Sequence, residues 1–152
     1  MTEDARFDDA GGKPLRLIAQ DAEDLQVLSA LVQDAVFPAS EMRWDRRGRR
    51  FALLLNRFRW EEGGRTAERV QSLLWIDGVR AVQSQGVTAG DADTVLSLLE
   101  IGFEPGEAPG GRVILTLAGD GAIACEVEAL ETVLKDVTRP YAAPSGKVPS
   151  HD

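Results

Sequence analysis

Five consecutive apolar residues, Phe51-Ala52-Leu53-Leu54-Leu55, occupy both phases of a strand's two-residue repeat. Successive side chains of an extended chain point to opposite faces, so such a run needs cover on both sides and belongs inside a sheet. From Asn56 the pattern changes. Phe58 and Trp60 alternate with Arg57 and Arg59, which predicts one buried face and one in water. The preceding Met42-Arg43-Trp44-Asp45 alternates in the same way. Between them Arg46-Arg47-Gly48-Arg49 reads as a turn, with Gly48 free to take a positive φ. Residues 42–60 are therefore expected to form a hairpin around which the remainder assembles.

The same stretch concentrates positive charge. Residues 43–69 hold nine arginines against four acids, a local charge of +5, while the whole chain carries −8 and the remainder therefore −13. That asymmetry predicts either a solvated basic face or a surface that meets an acidic partner. An acidic whole argues against bulk affinity for nucleic acid, because the body would repel a long polyanion outside the patch.

A length of 152 residues, 43% hydrophobic and 28% charged, suits one globular domain whose core needs no disulfide or metal. Cys125 is the one cysteine, which excludes an intramolecular disulfide and suits a reducing compartment. The first residues begin acidic and lack an apolar core, so no secretory signal is expected. No apolar run approaches the length of a bilayer span. The expectation is a cytoplasmic protein without membrane contact.

Along the chain, residues 1–13 are expected to be a flexible segment, 14–139 a single α+β domain, and 140–152 a flexible tail. Leu15 to Ala19 reads as a strand. Asp21 reads as an N-cap followed by Glu23 and Asp24 in the first turn, and Leu25, Leu28, Leu31 and Val32 continue at helical spacing over 22–32. Ala35 to Phe37 is a short strand, and 61–64 a turn. Asp77-Gly78 between Ile76 and Val79 is a hairpin signal. The partly polar strand from Val79 suits an edge or a half-open face. Residues 88–93 read as a loop, Val95 to Glu104 as a strand, 104–111 as a connection, and Arg112–Leu117 with Ala122–Val127 as a further hairpin. Leu130, Val133, Leu134 and Val137 have helical spacing and predict a closing helix ended by Pro140. The sum is an α+β fold: a mostly antiparallel, strongly bent sheet or partial barrel, one version being a pleckstrin-like roll, with one helix near each end.

Chemistry has few places to reside. The one histidine, His151, lies beside the C-terminus, so Ser-His and Cys-His nucleophile pairs and a histidine-based zinc site are not expected. Cys125 falls in phase with Ile123 and Val127 and reads as an inert core thiol. Gly90-Asp91-Ala92-Asp93 has spacing seen at some divalent-metal sites, but the acids suit capping better. Glu100, Glu104 and Glu107 would share a face only on a helix, and that stretch reads as a strand. The glycine pairs at 63–64, 110–111 and 119–121 lack the strand–loop–helix setting of a phosphate cradle. No catalytic residue, cofactor or metal site is assigned.

The run from Pro14 to about Val137 resembles a bacterial family catalogued as a domain of unknown function (number 2948). The residues that carry the resemblance are LRLIAQDAEDLQVLSALVQDAVF, MRWDRRGRRFALLLNRFRWE, ERVQSLLWIDGVRAVQSQG and LLEIGFEPGEAPGGRVILTLAGDGAIACEVEALE. It implies no activity, cofactor or catalytic residue. The expected role is accordingly a non-enzymatic protein-interaction or regulatory module, binding an acidic protein or a second copy of itself. The candidate surface comprises Arg43, Trp44, Arg46, Arg47, Arg49, Arg57, Arg59 and Trp60. Small-anion or nucleotide binding near Arg57, Arg59 and Arg69 is the alternative, with RNA or single-stranded DNA behind it.

Overall fold

The computed structural model describes residues 14–61, 64–87, 94–138 and 141–142, with their side chains except at 60–67 and 141–142. In chain order, β1 (Arg16–Ala19) precedes α1 (Ala22–Val32), β2 (Val36–Pro38), a 3-10 turn (Ala39–Glu41) and β3 (Met42–Asp45). Next come β4 (Arg50–Glu61), β5 (Gly64–Asp77), β6 (Val79–Gln85) and β7 (Val95–Pro105). They are followed by β8 (Gly111–Leu117), β9 (Ala122–Val127), β10 (Thr132–Asp136) and β11 (Tyr141–Ala142). The segment 1–13, the loop 88–93 with Asp91 and Asp93, the side chain of Trp60, and His151 lie outside the described residues.

The strands run in the order β1-β10-β5-β4-β2-β7-β8-β9-β6, with β3 also on β4 and β11 also on β5. Every pairing is antiparallel. The sheet is open, with β1 and β6 at its ends, so it is not closed into a barrel. Strand β7 joins its two halves: Val95 to Ser97 pair with β2, while Leu98 to Pro105 pair with β8. The apolar run lies in β4, between β5 on one side and β3 and β2 on the other. Phe51, Leu53 and Leu55 are buried, and Ala52 and Leu54 are half-covered.

Helix α1 forms for the reasons its sequence gives. The Asp21 carboxylate accepts the Asp24 N–H at 2.8 Å and takes up one of the unpaired donors of the first turn. Leu25, Leu28, Leu31 and Val32 are buried, and they pack the helix against β7, β1 and β4. Asp34, at φ 69, ends it by turning the chain into β2.

The course of the chain departs from the sequence expectations at two places. The closing helix around 130–137 is a strand, β10, held between β1 and β5. Its apolar residues fit helical spacing, but Thr132, Val133 and Leu134 are all buried, as a short strand with neighbours on both edges allows. α1 is thus the one α-helix among the described residues, and a roll closed by a C-terminal helix is not what forms.

Asp77-Gly78 does not make a hairpin. Strand β5 pairs with β4 and β10, whereas β6 pairs with β9. Gly78, at φ 71, is a corner through which the chain leaves one half of the sheet and enters the other. Around it the Asp77 N–H donates to the Glu131 carbonyl at 3.0 Å and the Glu128 N–H donates to the Gly78 carbonyl at 2.9 Å. Both strands are thereby fixed to third parties.

Candidate functional site

The turn between β3 and β4 is built by one carboxylate. Asp45 Oδ1 accepts the Gly48 N–H at 3.0 Å, and a Cβ on Gly48 would collide with that same carboxylate. A side chain at position 48 would displace the exposed Asp45 carboxylate from this bond, and the positive φ expected of Gly48 falls instead on Arg49, at 55°. The turn is then pinned to the neighbouring strand: the Arg49 carbonyl accepts the Val79 N–H at 2.9 Å.

This pinning creates a groove of about 350 Å3 whose walls are Trp44, Arg46 and Arg49 on the turn side and Val79 to Val82 of β6 on the other. Trp44 is partly buried and packs against the core. Arg49 pairs with Glu128 of the segment after β9, and Arg80 Nε lies 3.9 Å from Glu126. Both arginines are more than half exposed, so these pairs contribute roughly 0–1 kcal/mol and can be exchanged for another carboxylate. Arg46 and Arg47 are exposed and make no ion pair among the described residues.

The other residues of the expected surface lie elsewhere. The Arg43 guanidinium folds back onto the carbonyls of Ser40, at 2.7 Å, and Met42, at 3.2 Å. Arg59 donates to Glu68 at 2.8 Å. Arg57 is inside the protein, in phase with Phe51, Leu53 and Leu55, so the alternation expected from Asn56 does not hold there. Its Nη2 lies 3.0 Å from each oxygen of Asp136, and its Nε donates to Ser72 Oγ at 3.1 Å. The Ser72 hydroxyl donates to Asp136 Oδ1 at 2.7 Å, and the Leu15 N–H to Oδ2 at 2.9 Å. Burial pulls the Arg57 guanidinium below its ordinary value, and the Asp136 charge opposes that. The cluster is a closed structural joint of β4, β5, β10 and the residue before β1.

Arg80, which sequence reasoning left out of the site, belongs to the groove because β6 runs past the hairpin turn. Only the corner at Gly78 reveals that course. Arg69 lies with its guanidinium 4.6 Å from the centre of the Phe58 ring, beside the enclosed Arg57. Arg50 sits over Trp75 at 5.0 Å and donates to Asp77 at 2.8 Å.

Other chemistry is sparse among the described residues. No group of three His, Cys, Asp or Glu is placed to hold a metal. Cys125 is fully buried, and burial pushes its thiol up to about 12, far from the range of a reactive thiolate. Glu104 is engaged by Arg112, whose Nε donates to it at 3.1 Å. No described helix is long and apolar enough to cross a membrane.

An open antiparallel sheet with one α-helix among the described residues, carrying an arginine- and tryptophan-walled groove at its β3–β4 turn, is the class of protein these observations define. The chain belongs to the family described as "Protein of unknown function (DUF2948)", which it matches over residues 15–151. No curated protein and no solved structure matches it.

Proposed function

We propose that this chain is a non-enzymatic cytoplasmic docking protein that holds an acidic protein partner against the β3–β4 turn. The supporting observation is that Arg46, which shares the groove with Trp44, and the adjacent Arg47 are exposed and make no ion pair among the described residues, on a chain of net charge −8. Guanidinium groups bind carboxylates through paired, charge-assisted hydrogen bonds, and arginine and tryptophan are enriched where proteins meet. The acidic remainder of the molecule repels such a partner, which favours docking at this one face. A second copy of the chain would satisfy the same chemistry by presenting its own acidic surface. Small-anion binding has less support, because the carboxylates of Asp136 and Glu68 already engage Arg57 and Arg59.

The test is the double reversal Arg46→Glu/Arg47→Glu, on two exposed residues whose side chains make no hydrogen bond or ion pair among the described residues. Nuclease-treated cytoplasm is passed over tagged wild-type and variant protein, and self-association is followed by sedimentation. A stoichiometric protein or a dimer present with wild type and lost with the variant, at unchanged melting temperature, is the expected result. Capture or dimerisation that survives the reversal would sink the proposal.

A further inference from the structure

Beside the arginine-bearing turn runs β6, the terminal strand of the sheet. One edge of β6 pairs with β9. The other edge is bonded once, at its start, where Val79 donates to the Arg49 carbonyl at 2.9 Å. From Arg80 to Gln85 that outer edge has no backbone partner among the described residues. Sheets normally protect a free edge with charge, proline or a covering loop. Beyond Arg80 this one reads Ala81-Val82-Gln83-Ser84-Gln85, with no charge and no proline, no described residue bonds to its outer edge, and its one register shift lies between Val79 and Ala81. The turn thus begins to pair the edge and then leaves it open, and the first open residues, Arg80 to Val82, form one wall of the groove.

We infer that the free edge of β6 receives an extended acidic segment of the partner as an added strand. The segment's main chain bonds to β6, and its carboxylates meet Arg46, Arg49 and Arg80 above Trp44. Side chains of an added strand recur on one face at every second residue, so alternating acids present a row of carboxylates to the groove while the backbone stays free to pair. The inference rests on the docking reading above for the sign of the partner's charge. It adds the partner's conformation and the strand that recognises it.

The probe is a blocked peptide of alternating glutamate and valine, about eight residues long to match β6. Two isomers of it are N-methylated at alternate residues, one at every glutamate and one at every valine. Each isomer keeps all charges and loses the backbone donors of one edge. Strand addition predicts that the parent peptide binds and slows amide exchange within 80–85, and that at least one isomer binds about ten-fold more weakly or worse. Binding by all three peptides within about two-fold, without slowed exchange, overturns strand addition and leaves charge docking intact. Binding indifferent to Arg46→Glu/Arg47→Glu overturns the docking reading, and the acidic segment with it. No binding at millimolar peptide overturns both.

Discussion

The most consequential single residue is Asp136. Its carboxylate takes hydrogen bonds from Arg57, Ser72 and the Leu15 backbone while 8% exposed, and Arg57 is 3% exposed. A buried ion pair of this kind is weak support for stability in itself, but removing one partner strands the other charge in a medium that cannot solvate it. Asp136→Ala is expected to lower unfolding free energy by about 3–5 kcal/mol, against about 1 kcal/mol for Ser72→Ala. Urea denaturation of the two variants checks the ranking, and equal losses would contradict it. Replacing Arg57 and Asp136 together by Met and Leu should recover most of the loss. Cys125 carries the pH-dependent counterpart. Its folded-state value, about 12, stands above the ordinary thiol value of about 8.5, so its contribution is intact below the ordinary value and is lost as pH rises from there. In that window the wild type should lose stability more steeply than Cys125→Ala, by up to about 1.4 kcal/mol per pH unit. Below pH 8, a thiol reagent should label Cys125 only after unfolding.

At the scale of elements, the chain's local rules were legible where they sufficed and misleading where a third element intervened. The Asp21 cap and the Leu25, Leu28, Leu31, Val32 stripe specify α1 on their own, because capping and amphipathic burial involve neighbours in sequence. The β3–β4 and β8–β9 hairpins are equally local. The partly polar β6 reads from its own residues as an edge or a half-open face, and the strand order places it at an end of the sheet. Asp77-Gly78 carries a true backbone signal, a positive φ, yet that signal says only that the chain bends there, and pairing with β9 and β10 decides into what. The segment 132–136 was misread because spacing over so few residues fits helix or strand, and the partner of Asp136 is far away in sequence. In the groove, Trp44, Arg46 and Arg49 were readable from the hairpin and Arg80 was not, since its place depends on that bend. The bend is testable at one atom. Gly78→Ala forces a side chain into the left-handed region and should destabilise by about 1 kcal/mol, whereas Gly102→Ala, with no atom within 4 Å of its added Cβ and an ordinary φ, should cost less. A larger effect at Gly102 would contradict the corner's role.

Across the whole molecule, charge and topology divide the labour. The net charge of −8 is unevenly spread: residues 43–69 carry +5 and the remainder −13, so the β3–β4 turn lies in the basic part of an acidic chain. The sheet order has a consequence for how the protein is made. Strand β10 is inserted between β1 and β5, and β9 between β8 and β6, so late-emerging strands fill gaps between early ones. On the ribosome the β4–β5 ribbon can pair as soon as Asp77 is out, but its apolar flank waits uncovered until Thr132 to Asp136 follow. At synthesis rates of roughly 5–20 residues per second that wait lasts some seconds, long compared with hairpin formation. During it the nascent chain exposes a strand edge flanked by Leu73, Leu74 and Trp75, the kind of surface that chaperones hold and that neighbouring chains on a polysome can capture.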